Sequence, residues 1–179
     1  PQTTIATAIV LCHRFFLRRS HVYHDRFLIA TACVFLAAKS EETPRSLNNI
    51  LVMSYQICHE QDLASFHYLL PNDWFEQYKK CIIKAEHMLL TALDFELTVQ
   101  HPYGPLMSVL SKIGLAHTPL LNLAWNFIND GLRGSLCLQF KPHHIAAGAV
   151  SLAGRVLNFD LSTAPSLWQE FQTTSTIIQ

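Results

Sequence analysis

A helix-length motif occurs twice in this chain, and no other feature restricts the fold as much. Ile29–Lys39 reads IATACVFLAAK and Ile145–Arg155 reads IAAGAVSLAGR. Identical residues meet at Ile29/Ile145, Ala30/Ala146, Val34/Val150, Leu36/Leu152 and Ala37/Ala153, and a base ends both copies, Lys39 and Arg155. Upstream, Leu17-Arg18-Arg19-Ser20 matches Leu132-Arg133-Gly134-Ser135 with a slip of one residue. Two matches in the same order point to a duplicated helical unit. The first copy sits in Phe27–Ala38, a run of apolar and small residues with no charge. Such a helix is expected to be buried on every side, its alanines and glycines letting neighbours approach closely. Each unit is then a small bundle around its central helix, the first over residues 1–98 and the second over 99–179.

Helical signals dominate the rest. Ile5, Ile9, Cys12, Phe15 and Phe16 recur at three- and four-residue spacings after Pro1, which predicts one buried helix face. Asp73 with Glu76 reads as a capping-box start to a long helix through Trp74, Tyr78, Ile82 and Leu89. Thr118-Pro119 and Lys141-Pro142 read as N-cap followed by proline, and Gly114 as the close of a helix begun near Pro102. Alternating strand patterns and tight hairpin signals are missing from the sequence. The expected fold class is all-α, as tandem helical bundles. Carried backwards, the repeat spacing places a counterpart of the helix at 102–114 before residue 1; carried forwards, it places a second copy of the long helix beyond residue 179. The chain is expected to be a window on a longer duplicated protein.

Composition narrows the function. Half of the 179 residues are apolar and 15% are charged, the balance of a folded globular protein. Thirteen basic and thirteen acidic side chains cancel, which argues against nucleic acid as the main partner, because phosphate binding wants a basic face. The run at 27–38 is shorter than the roughly 20 residues that cross a bilayer, and no secretion signal opens the chain. Five cysteines, Cys12, Cys33, Cys58, Cys81 and Cys137, form an odd set in mostly apolar helical contexts, as expected of reduced thiols in a cytosolic or nuclear protein. Ten histidines include His21 with His24 and the adjacent His143 and His144, but no CxxC or HExxH supplies ligand spacing, so no metal is expected. A glycine-rich phosphate loop and a nucleophile elbow are also missing, and neither a catalytic residue nor a cofactor is expected.

Charge placement is more telling than charge count. Lys39, Glu41 and Glu42 follow the uncharged run at once, ahead of Pro44. A lysine there favours the negative end of the helix dipole, and glutamates in a turn can simply be solvated. Glu86 is the stranger residue, standing in the stripe Ile82, Ala85, Leu89, Leu90 and Leu93. A carboxylate there is costly unless paired or at an edge facing a partner, and Lys39 is its natural mate. As a partly exposed pair the two would add about 0–1 kcal/mol to folding. One base and one acid at the rim of an apolar surface suit a site that clamps a partner's backbone.

These residues together resemble the cyclin box: a duplicated all-α unit, a central helix ending Lys-x-Glu-Glu, and a glutamate followed by LLTALDFEL. More narrowly, FLAAKSEETPRSLNNIL, FELTVQHPYGPLMSVLSKIGL and LQFKPHHIAAGAVSLA are similar to cyclin T, above all to its plant-type members. The resemblance covers essentially the whole chain, and it implies that this chain lacks the first helix of the first box and most of the last helix of the second. It implies an activating regulatory subunit, in a heterodimer with a cyclin-dependent kinase of the transcription-elongation type. That complex phosphorylates the C-terminal domain of RNA polymerase II, which implies a nuclear location. It also implies the kinase interface: Lys39 and Glu86 clamp backbone groups flanking the kinase's C helix, Glu42 lies in the same interface, and Leu90, Phe95 and Leu97 supply apolar contacts. The second copy departs from the pattern with Arg155-Val156-Leu157-Asn158 and is not expected to clamp a kinase. Rival readings are a K, L, C or H type transcriptional cyclin, and a TFIIB-like DNA-binding factor, which would need a basic face across both repeats.

Overall fold

The computed structural model describes residues 1–59, 72–161 and 166–173. Helices α1 (Gln2–Arg18), α2 (Arg26–Ser40), α3 (Leu47–His59) and α4 (Asn72–Ala92) belong to one compact unit, Pro1–Val99. Helices α5 (Tyr103–Lys112), α6 (Pro119–Gly131), α7 (Leu136–Gln139), α8 (Pro142–Val156) and α9 (Leu167–Glu170) belong to another, Gln100–Gln179. The described residues contain no strand, and the fold is all-α.

In the first unit α2 is the helix that α1, α3 and α4 pack against. Its start is fixed by Asp25, whose carboxylate accepts the Phe27 and Leu28 N–H groups at 2.8 and 3.3 Å. Ile29, Ala32, Cys33, Leu36 and Ala37 form its buried side, meeting Leu11 and Phe15 from α1 and Ile82, Ala85 and Leu89 from α4. Small residues at 32, 33 and 37 allow this close approach.

Two expectations about burial need correction. Among the described residues, α1, α3 and α4 leave one side of α2 open. Phe27, Ala30 and Val34 are exposed and, with Ile50, Met53 and Ile57 of α3, line a groove of about 450 Å³. On α1 the buried face is Ala6, Thr7, Ala8, Val10, Leu11 and Phe15, while Ile5 is 55% exposed. The packed face combines the small Ala6, Thr7 and Ala8 with the large Leu11 and Phe15, and Ile5 lies off it. Helix α4 also starts earlier than a capping box at Asp73 would place it. Asn72 is already helical, Asp73 lies in the first turn, and Glu76 accepts the Lys79 ammonium at 2.7 Å instead of reaching back to the cap.

In the second unit α8 packs against α5, α6 and α7 and buries Ala146, Ala147, Ala149, Val150, Ala153 and Gly154. Leu152 and Val156 stay exposed, so this helix too keeps an open side. Gly154 marks a close approach: a Cβ there would stand 2.8 Å from Leu161 Cδ1. Thr118 and Lys141 are N-caps followed by proline, and Gly114, at φ 76°, ends α5 with the Leu115 N–H on the Leu110 carbonyl at 2.8 Å. Tyr103 OH donates to Asn129 Oδ1 at 2.7 Å and joins α5 to α6.

Candidate partner-docking site

The end of α2 is a helix-terminating turn with two backbone bonds. The Glu42 N–H reaches the Lys39 carbonyl at 3.2 Å and the Thr43 N–H reaches the Ala38 carbonyl at 2.9 Å. This geometry requires a left-handed residue at position 42, and Glu42 has φ 52°. Glycine or asparagine is usual there; a glutamate adopts it at a cost.

Lys39, in the last turn of α2, forms an ion pair with Glu86 of α4 and lies over the Phe35 ring, 4.3 Å from its centroid. The pairing joins two helices that pack side by side. It is not evenly exposed, however. The Lys39 side chain is 46% exposed and that of Glu86 only 11%, so the expectation of a partly exposed pair holds for the base alone. Glu86 Oε1 is sealed from solvent and in contact with the Lys39 ammonium. The carboxylate's charge is thus answered from within the chain by Lys39. The half-exposed ammonium keeps donors for a carbonyl.

The apolar residues divide. Leu90 and Leu97 are half-buried against the core, whereas Phe95 is 69% exposed. Phe95 has φ 59° and its predecessor Asp94 φ 53°, two successive left-handed non-glycine residues. Backbone in that region persists only where its surroundings over-determine it, and such outliers gather at functional sites. Here the surroundings are α1. Arg18 donates to the Ala92 carbonyl at 2.6 Å and to Asp94 Oδ2 at 2.5 Å, and Arg14 donates to the Thr98 carbonyl at 3.2 Å. The Phe95 N–H also closes on the Leu90 carbonyl at 2.9 Å.

Sequence reasoning did not single out Arg14, Arg18, Thr4 or Thr7 for this region. Thr7 Oγ1 donates to Glu41 Oε1 at 2.8 Å, and the Thr4 and Thr43 hydroxyls lie 2.9 Å apart. Two threonines three apart in an otherwise apolar stretch were the available signal. The cysteines differ among themselves: Cys33 is buried and Cys81 is exposed, not in the core as its helical context suggested. A hydrogen bond between Cys12 and Cys33 lowers the Cys12 thiol pKa, and the same bond together with burial raises that of Cys33. Among the described residues no group of three or more His, Cys, Asp or Glu is placed to hold a metal ion, and no helix is long and apolar enough to cross a membrane.

The all-α architecture and this charged rim define the class, a helical module of the cyclin-box type. The chain belongs to the cyclin family: the family described as "Cyclin, N-terminal domain" matches residues 1–98. It is 52% identical over 176 residues to Cyclin-T1-3 of Oryza sativa subsp. japonica, covering 97% of this chain and 36% of that protein. It is 50% identical over 176 residues to Cyclin-T1-4 of Arabidopsis thaliana, covering 97% of this chain and 32% of that one. The chain thus spans about a third of the length of these curated relatives. A solved structure, "Crystal Structure of the yeast RNA Pol II CTD kinase CTDK-1 complex", contains a chain with the same fold. Its TM-score is 0.81 at 22% identity, over 99% of this chain and 56% of that one.

Proposed function

We propose that this chain is the activating regulatory subunit of a cyclin-dependent kinase of the transcription-elongation type, working in the nucleus. Its complex phosphorylates the C-terminal domain of RNA polymerase II. The observation that carries the reading is the largely buried Glu86 carboxylate, paired with the half-exposed Lys39 ammonium, at the rim of a cyclin-family scaffold. Lys39 and Glu86 bond backbone groups beside the kinase's C helix, Glu42 joins them from its turn, and Leu90, Phe95 and Leu97 pack on the helix itself. The kinship with proteins named cyclin T and the fold shared with a chain of a CTD kinase complex both support it.

The mechanism needs no reactive group on this chain. A protein kinase is active when its C-helix glutamate pairs with the ATP-site lysine. A rigid surface that binds the helix-in state better than the helix-out state shifts that equilibrium by its differential affinity. Rigidity is what the α1 contacts contribute. Reconstitution tests the reading: the 179-residue chain added to a purified CTD kinase catalytic subunit raises phosphorylation of a heptad-repeat peptide in a saturable, one-to-one manner. A catalytic subunit whose rate does not change at saturating chain overturns it.

A further inference from the structure

The turn that carries Lys39 and Glu42 is held from outside α2. Thr7 is fully buried in α1, and its Oγ1 donates to Glu41 Oε1 at 2.8 Å. Thr4, one turn earlier on α1, has its Oγ1 2.9 Å from Thr43 Oγ1. Glu41 and Thr43 are the residues on either side of Glu42, the left-handed glutamate. Two hydroxyls of one helix therefore grip the turn before and after its strained residue.

The end of α8 shows that the backbone fold does not need this grip. Asn158 has φ 50°, its N–H reaches the Arg155 carbonyl at 3.3 Å, and the Phe159 N–H reaches the Gly154 carbonyl at 2.8 Å. The residues flanking Asn158 are Leu157 and Phe159, whose side chains can make no hydrogen bond. The same turn thus closes there on backbone bonds alone, with a residue type suited to it. At the end of α2 the threonine contacts are added to the same two backbone bonds.

Charge supplies the explanation. Glu41 and Glu42 stand two and three residues from Lys39, and an untethered Glu41 carboxylate competes with Glu86 for the ammonium. Tied to Thr7, Glu41 is withdrawn and Lys39 stays on Glu86. We infer that Thr4 and Thr7 are positioning residues for the docking site: they withdraw Glu41, hold Thr43, and so fix the turn that presents Lys39 and Glu42 to the kinase. This inference rests on the docking reading above.

The test titrates a purified CTD kinase catalytic subunit with the 179-residue chain and its variants, and follows amide hydrogen exchange at Thr43. Thr7→Val keeps the shape and removes the donor; it weakens binding about tenfold, the scale of one lost hydrogen bond, and speeds Thr43 exchange. Thr7→Ser keeps the hydroxyl and restores binding to within about twofold. In a Glu41→Ala background Thr7→Val has no further effect on binding, because the group it acts through is gone; additive losses overturn the inference. Wild-type binding by Thr7→Val and Thr4→Val, or a Thr7→Ser that binds as weakly as Thr7→Val, also overturns it. Should Thr7→Val fail to fold, Thr4→Val carries the test on a partly exposed side chain, and wild-type binding and exchange there overturn the inference. Lys39→Ala is the control: if it binds as wild type does, the docking reading itself falls, and if it alone loses binding, only the role of the threonines falls.

Discussion

The ends of α2 and α8 carry the same backbone turn and opposite chemistry. Lys39 and Arg155 both stand three residues before a left-handed residue, Glu42 at φ 52° and Asn158 at φ 50°. In both, the residue after it returns a hydrogen bond to the carbonyl five residues back, at 2.9 and 2.8 Å. Around Lys39 the structure has an acid sealed from solvent, an aromatic ring beneath the ammonium and two gripping threonines. Arg155 is exposed, and no acid pairs with it among the described residues. Backbone geometry is thus what the two helix ends share, and what sets them apart is a buried acid paired with the base. The proposed docking site uses the second property.

The largest folding difference between the two ends concerns the bases. Lys39→Ala leaves the Glu86 carboxylate, 8% exposed as a residue, without its counter-charge. It should cost about 1–3 kcal/mol, the penalty of an uncompensated buried polar group. Arg155→Ala removes an exposed charge and should stay within about 0.5 kcal/mol of wild type. Chemical denaturation of the two variants measures this directly, and equal losses would erase the distinction.

A smaller difference lies one residue earlier, at Ala38 and Gly154. Gly154→Ala improves helix propensity yet forces a Cβ to 2.8 Å from Leu161 Cδ1, so it should destabilise by about 1 kcal/mol rather than stabilise. Ala38→Gly, at a residue 2% exposed, should lose about 1 kcal/mol through propensity and lost packing. Each end prefers its own small residue, and thermal melts of both variants check the pair. A Gly154→Ala variant that melts higher than wild type would mean that Leu161 moves aside freely.

The smallest effects concern the left-handed positions. Glu42→Gly relieves a strained side chain and should stabilise by about 0.5–1 kcal/mol while weakening kinase binding. Asn158→Gly should change stability by only a few tenths of a kcal/mol, about what asparagine already concedes to glycine there. A Glu42→Gly variant more stable than wild type and equal to it in kinase binding would remove Glu42 from the interface.

How much of this was legible follows from the range of each interaction. That α2 is a core helix showed in sequence because a long uncharged apolar run is a local pattern, whereas its buried side, with Ile29, Cys33, Leu36 and Ala37, did not. The Lys39–Glu86 pair was legible because a carboxylate inside an apolar stripe announces that it needs a mate. The open face at Phe27, Ala30 and Val34 was not, since hydrophobicity says which side chains can be covered but not how many helices arrive to cover them. Ile5 was misplaced for the same reason. The Thr7–Glu41 and Arg18–Asp94 contacts join residues 34 and 76 positions apart, and no period in the chain connects them. Phe95 was picked out by resemblance alone; its left-handed backbone is invisible in a one-dimensional reading.

The central claim is that the end of α2, and not the matching end of α8, docks a kinase. Binding isotherms of Lys39→Ala and Arg155→Ala with a purified CTD kinase catalytic subunit, at two salt concentrations, test it most directly. The Lys39→Ala variant should lose about 2–5 kcal/mol of binding free energy, because the lost group is desolvated and hydrogen-bonded in the complex. Arg155→Ala should bind as wild type does at both salt concentrations. Wild-type affinity in Lys39→Ala, or an equal loss in a folded Arg155→Ala, would place the docking site elsewhere on the chain.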